Sequence, residues 1–315
     1  MFRILFMRTF LFLSLFVALI VLWPCCLSAQ DSLPASNPAP SPIELRPDAS
    51  GTVPVEQIRE VLQRAEEKDL ENDKRARDYT YIEREERHYL DGHGGVKKVT
   101  SRTSENLEIY GEPVERITAK DDKPLPADEA KKEDEKIQKI IDKRKSESEE
   151  DRRKRLKREE KDREQDRKFV LEIADAFNFR LAGSETIDGH DTWIFEGEPR
   201  PGYQPKSREA QMLSKFKGRV WIDKKEEQWV KLDIVAIDTL SIGFVLARFH
   251  KGSHVVIEMT KVNDEVWLPQ HVLFHVDLRL ALFKSYDEDI DQTFRDYRKF
   301  RADTKITVVG EENQQ

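Results

Sequence analysis

Cysteine is confined to Cys25 and Cys26, so the 289 residues that follow can form no disulfide, no thiolate zinc site and no cysteine nucleophile. The chain also lacks an excess of positive charge. Its formal balance is −7, which gives no global attraction for nucleic acid. The sequence patterns of common catalytic sites are missing as well. No serine sits in Gly-x-Ser-x-Gly, no His-Glu-x-x-His occurs, and no glycine-rich loop leads into a helix as phosphate binding requires. The reading is therefore of a protein that is not an enzyme and needs no cofactor.

Long apolar runs are absent after the first 29 residues. In that stretch Arg3 and Arg8 precede an apolar core, Phe10 to Trp23, broken only by Ser14. Leu27-Ser28-Ala29 then offers a small-residue cleavage site before Gln30. The core is short for a span of about 20 residues, so residues 1–29 are expected to be a cleaved export signal. Removing Arg3 and Arg8 with it takes the formal charge from −7 to −9. No integral membrane span is expected afterwards, and a periplasmic location is expected for the exported protein. Residues 30–52 hold Pro34, Pro38, Pro40, Pro42 and Pro47 among serine and alanine, the composition of a disordered tether.

What the chain does have is alternation. In His271–Phe283 every even position is apolar (Val272, Phe274, Val276, Leu278, Leu280, Leu282), while the odd positions carry His271, His275, Asp277 and Arg279. A strand turns successive side chains to opposite faces, so this segment has one buried and one wetter face. Similar strands are expected at 79–90, 96–110, 112–118, 179–187, 190–197, 218–223, 228–238, 242–250, 254–261, 290–300 and 304–309. Asp188-Gly189 marks a tight hairpin, and Asp91-Gly-His-Gly-Gly95 a looser one. Connections this short join antiparallel neighbours. Val55, Ile58, Val61, Leu62 and Ala65 have helical spacing, which predicts a helix over 53–73. Ser207 is placed to cap a short helix over 208–216.

One segment is of a different material. Residues 128–168 hold 32 charged residues in 41, 17 basic and 15 acidic, with no glycine or proline. Such a composition favours a solvated helix, because Ile137, Ile140, Ile141 and Leu156 are too few for heptads. Almost none of it is expected to be buried, and a partner-binding arm for envelope proteins is the functional alternative. Beyond it, Val170, Ile173 and Phe177 form one apolar stripe that must dock on something.

Two further groups combine residue types that can bind metal ions. His271 and His275 are four apart, which on a strand is about 13 Å and too far to share a metal ion; His250 and His254 straddle Lys251-Gly252, where a turn could bring them closer, and are expected to be a surface pair rather than a ligand pair. Asp287, Glu288, Asp289 and Asp291 crowd what reads as a loop but lack the ordered spacing and glycine of a calcium loop, so a solvated turn is expected.

Gly218-Arg-Val-Trp-Ile-Asp223, Gln228-Trp-Val-Lys-Leu232, Asn263-Asp-Glu-Val-Trp-Leu-Pro269 and Phe294-Arg-Asp-Tyr-Arg-Lys-Phe300 together resemble the strand pattern of periplasmic outer-membrane lipoprotein carriers and their sorting-protein relatives. The resemblance covers residues 53–309, with 128–168 as an insertion and 310–315 as a tail. It implies an unclosed barrel whose concave apolar face, lidded by helices, accepts acyl chains.

The resulting fold class is α+β: one large curved antiparallel sheet, a half-open β-barrel, with helices packed on its concave face and a long charged helical insertion. The residues expected to bind an apolar ligand, such as lipid acyl chains, are Leu232, Ile234, Phe244, Leu246, Val255, Ile257, Val272, Phe274 and Val276. Val170, Ile173 and Phe177 are the expected lid. The alternative is an envelope interaction protein whose sheet core is filled and whose charged arm recruits a partner.

Overall fold

The computed structural model describes residues 43–110, 112–207, 209–242, 247–280 and 284–299. The expected signal, most of the tether, the strand expected at 304–309, the tail, and the site candidates Phe244 and Leu246 lie outside the described residues.

From Arg46 onward the described chain is α+β, built on one open antiparallel sheet. In chain order the elements are α1 (Val55–Ala76), β1 (Tyr79–Leu90), β2 (Val96–Ile109), β3 (Glu112–Lys120), β4 (Lys123–Pro124), α2 (Ala127–Lys145), α3 (Glu149–Ala176), β5 (Phe177–Ile187) and β6 (His190–Pro199). A 3-10 helix (Glu209–Lys215) precedes β7 (Phe216–Asp223), β8 (Trp229–Ala236), β9 (Leu240–Ile242), β10 (Ala247–Phe249), β11 (His254–Val262), β12 (Val266–Leu280) and β13 (Lys284–Lys299). Thirteen strands are assigned among the described residues. Their order is β4-β3-β2-β1-β13-β12-β11-β8-β7-β6-β5, with β10 pairing β12 and β9. The sheet is open because β4 and β5, consecutive in the chain, end up on its two opposite edges.

Local chemistry sets most boundaries. The Asp188-Gly189 turn takes φ of 49° and 82°, the left-handed pair that a tight hairpin demands, and joins β5 to β6. Asn263 and Asp264, at φ 51° and 56°, do the same between β11 and β12. Ser207 Oγ accepts from Ala210 N at 3.0 Å, opening the 3-10 helix.

Helix α1 buries Ile58, Val61 and Ala65 on one stripe. It touches both β5 and β12, five places apart in the sheet. At 22 residues it is ~33 Å long, enough to lie across the ~24 Å those strands span. Its end is fastened at the β11–β12 hairpin: Asn72 Nδ2 donates to the Trp267 carbonyl at 2.7 Å, and Trp267 N donates to Asn72 Oδ1 at 2.7 Å.

The charged insertion departs from the sequence expectation in two ways. It is two helices, broken at Ser146-Glu147-Ser148, where Ser148 Oγ accepts from Asp151 N and caps α3. Its first half is docked rather than wholly solvated. Ile137 is buried against Ile109 and Val114, with Leu107, Ile140 and Ile141 around them. Three isoleucines cannot make a coiled-coil seam, but at helical spacing they suffice for one contact on a sheet edge. Leu156, in α3, is left exposed.

Phe177 is also corrected. The helix ends at Ala176, and Phe177 is the first residue of β5, so it belongs to the sheet and not to a helical lid. Its ring sits 5.9 Å from that of Phe179.

Candidate functional site

Strand register decides which side chains share a face. One row runs Leu181, Phe195, Val220, Leu232, Ile257, Val272, Gln292, Glu85, Arg102 from β5 through to β2. A parallel row runs Phe179, Gly197, Gly218, Ile234, Val255, Phe274, Ile290, Arg87. Val276, opposite Glu288, starts the next. The register therefore brings Leu232, Ile234, Val255, Ile257, Val272, Phe274 and Val276 onto one face. Ile257 and Val272 are buried, and the other five are partly exposed. The opposite face carries ion pairs such as His254–Asp233 and His275–Asp289.

The two glycines in the second row make room for its neighbours. A Cβ on Gly197 would meet the Phe179 ring at 2.9 Å, and one on Gly218 would meet the Asp233 carbonyl at 2.4 Å. Gly197 thus leaves the space that the Phe179 ring occupies, and Gly218 the close approach of β8.

Of the lid candidates, Val170 and Ile173 are half-buried on the last turns of α3. Those turns pack on α1 and on the 3-10 helix. Ala174 is fully buried there. Asp175 pairs with Arg59 of α1 and with Lys206 at 2.7 Å, and both cations hold its carboxyl below the ordinary range. Burial pushes the Glu172 carboxyl up, but bonds from Tyr203 and from the backbone of Lys206 outweigh that and leave it low.

The same sheet face turns polar at β13, which the alternation in β12 gave no hint of. Arg87 donates to Glu288 Oε2 at 2.9 Å and to Glu85 Oε1 at 3.0 Å. Gln292 Nε2 donates to Glu83 Oε1 at 3.2 Å and Glu85 Oε2 at 3.1 Å, and Asn106 Nδ2 to Glu83 Oε2 at 3.2 Å. Arg102 pairs with Glu115 at 3.3 Å. Glu83, Glu288, Gln292 and Asn106 are all buried. Buried charges need compensating partners: Glu288 has the Arg87 guanidinium, and Glu83 accepts from the two amides of Asn106 and Gln292. The face is thus apolar from β5 to β12, mixed on β13, where buried Ile290 and Phe294 alternate with Glu288 and Gln292, and polar on β1 and β2.

Asp287, Glu288, Asp289 and Asp291 do not form the expected loop. They lie within β13, and alternation sends Glu288 inward and Asp289 and Asp291 outward. Outside, Asp289 pairs with His275 at 2.7 Å and Asp291 with His271 at 3.0 Å. His254 pairs with Asp233 at 2.7 Å, and His250 with Asp277 at 3.0 Å. Each of these four histidines thus has a carboxylate partner, His271 a second one in Glu258 at 3.6 Å, and no group of three or more metal-ligating side chains is found among the described residues. A shallow cavity of about 300 Å³ lies elsewhere, lined by Ile117 and Leu125 with charged residues of β3 and α2.

No helix among the described residues is long and apolar enough to cross a membrane. No protein-family model matches the chain, and no curated protein matches it. Among solved structures it is similar to an outer membrane lipoprotein-sorting protein domain from Vibrio parahaemolyticus, at 13% identity and a TM-score of 0.33, covering 78% of this chain and 95% of that one. A DUF1329 family protein from Desulfovibrio piger matches at 11% identity and a TM-score of 0.27, covering 80% and 95%. A LolA superfamily protein from Nitrosomonas europaea matches at 10% identity and a TM-score of 0.26, covering 77% and 92%.

Proposed function

We propose that this protein is an exported, non-enzymatic carrier that holds lipid acyl chains or other apolar groups on the face shared by Leu232, Ile234, Val255, Ile257, Val272, Phe274 and Val276, with outer-membrane lipoprotein sorting as its setting. Phe244 and Leu246, which lie outside the described residues, complete the set expected from the sequence. Val170 and Ile173, beside α1, form the cover. The observation that carries this reading is the absence of any polar side chain from two adjacent rows between β5 and β12, with Ile234, Val255 and Phe274 only partly covered. Burying a methylene is worth ~0.8 kcal/mol, so about ten of them reach the micromolar range without any catalytic group. The apolar core of residues 10–23, followed by Leu27-Ser28-Ala29, supports export and a periplasmic location.

Mass spectrometry of organic extracts from the purified protein tests the proposal. Acyl lipid recovered in stoichiometric amount supports it. A clean extract, together with failure to take up added lipid, favours an interaction protein with a filled core.

A further inference from the structure

We infer that α2 and α3 form a rigid strut that fixes the separation of the two sheet edges, and so the width of the opening between them. The topology demands a long crossing here. β4 and β5 are consecutive in the chain but lie at opposite ends of the strand order, so their connection has to cross the whole sheet. From β3 to β5 there are nine inter-strand steps, ~43 Å along the sheet and so an upper bound on the straight distance between them, and α3 alone, at 28 residues, is ~42 Å long, enough to bridge it.

Both ends of this crossing are anchored. At one edge Ile137 of α2 packs on Ile109 and Val114, Asp134 pairs with Arg116 at 2.6 Å, and Lys120 of β3 pairs with Glu129 at 2.6 Å. At the other edge the end of α3 is held by Ala174, by Glu172 accepting from Lys206 N at 2.6 Å, and by Asp175 between Arg59 and Lys206. The corner between the helices is clamped too. Glu147 takes Arg144 of α2 at 3.1 Å and Arg155 of α3 at 2.9 Å.

The span between anchors has the make-up of a helix that stands alone. Glu150–Lys154 and Glu164–Lys168 are paired at 2.7 Å each, four residues apart, and residues 150–154, 156–158, 160, 161, 164 and 165 are exposed. A lid would need an apolar face towards the sheet. A spacer needs only length and stiffness, which uninterrupted helix-forming residues supply.

Spin labels at Lys123→Cys on β4 and Ser184→Cys on β5 test this, in the full chain with Cys25 and Cys26 replaced by serine. Both label positions are exposed. The parent should show one narrow distance distribution. Deleting residues 157–163, about two turns that keep the flanking faces within ~20° of register, should shorten the mean distance by up to ~10 Å. Replacing 157–165 by Gly/Ser of equal length should broaden the distribution without shortening it. If the deletion prevents folding, the equal-length replacement still decides the matter. Unchanged distributions in a folded variant would overturn the inference and assign the edge separation to the sheet itself.

Uptake of a fluorescent fatty acid is a second readout and rests on the carrier reading, with several-fold weaker uptake expected in both variants. Shifted distances with no uptake by any form, parent included, would leave the strut standing and remove the carrier.

Discussion

Asn72 and Trp267 satisfy each other through both amide groups: the side chain of one donates to and accepts from the backbone of the other, each at 2.7 Å. Both are buried, 195 residues apart in the chain, and they tie the end of α1 to the β11–β12 hairpin. Asn72→Ala leaves a buried N–H and a buried C=O without these partners, at a cost of ~2–4 kcal/mol. Urea denaturation should show a lower midpoint at unchanged slope. A shift below experimental error would mean that α1 is held by its apolar stripe alone.

The two faces of β12 give an internal control. Phe274 is partly exposed on the apolar face, so Phe274→Ala should cost ~1–3 kcal/mol, less than the truncation of a fully buried ring, and weaken uptake of a fluorescent fatty acid. His275, one residue on, points the other way and pairs with Asp289 at the surface. His275→Ala should change stability by ~1 kcal/mol or less and leave uptake intact. Equal effects of the two substitutions on uptake would remove the face argument.

The insertion should divide into a part that supports the fold and a part that does not. Ile137→Asp places an unpaired charge against Ile109 and Val114 and should destabilise by ~2–4 kcal/mol. The Gly/Ser replacement of 157–165 should move the melting temperature little. A large loss from that replacement, with little from Ile137→Asp, would reverse the division.

Acid should loosen the end of α3. Asp175, held low by Lys206 and Arg59, has a folded pKa below its unfolded value. Its contribution is therefore complete above the ordinary carboxylate range, ~4, and is lost as pH falls through the depressed folded value. The gap in melting temperature between the parent and Asp175→Asn should be constant from neutral pH down to ~4 and then close. A gap that widens in acid would contradict the pairing.

Much of the sheet was legible because hairpins and alternation are local signals. The strands at 79–90 and 254–262 and the Asp188-Gly189 turn follow directly from residue order. Pairing between distant strands was not legible. Nothing near β1 announces that it sits beside β13, so the edge-to-edge crossing of α2 and α3 could not be foreseen. The polar half of the inner face was missed for a related reason. Tyr81, Glu83, Glu85 and Arg87 show no apolar alternation, and only the register with Gln292 and Glu288 reveals that they point inward. The acids of β13 were misread as a loop because carboxylates are rare in strands, and the histidines that pair with them come from β12. Ser148 was a readable helix cap, hidden in a run of charge that resembled one continuous helix.

The central claim is that the apolar rows hold a ligand, and the most direct measurement is titration of the purified, cooperatively melting protein with a fluorescent fatty acid. Saturable uptake near one probe per chain in the micromolar range, weakened by Phe274→Ala and unaffected by His275→Ala, is the predicted result. A folded protein that takes up no probe at any accessible concentration, and releases no lipid on extraction, would contradict it.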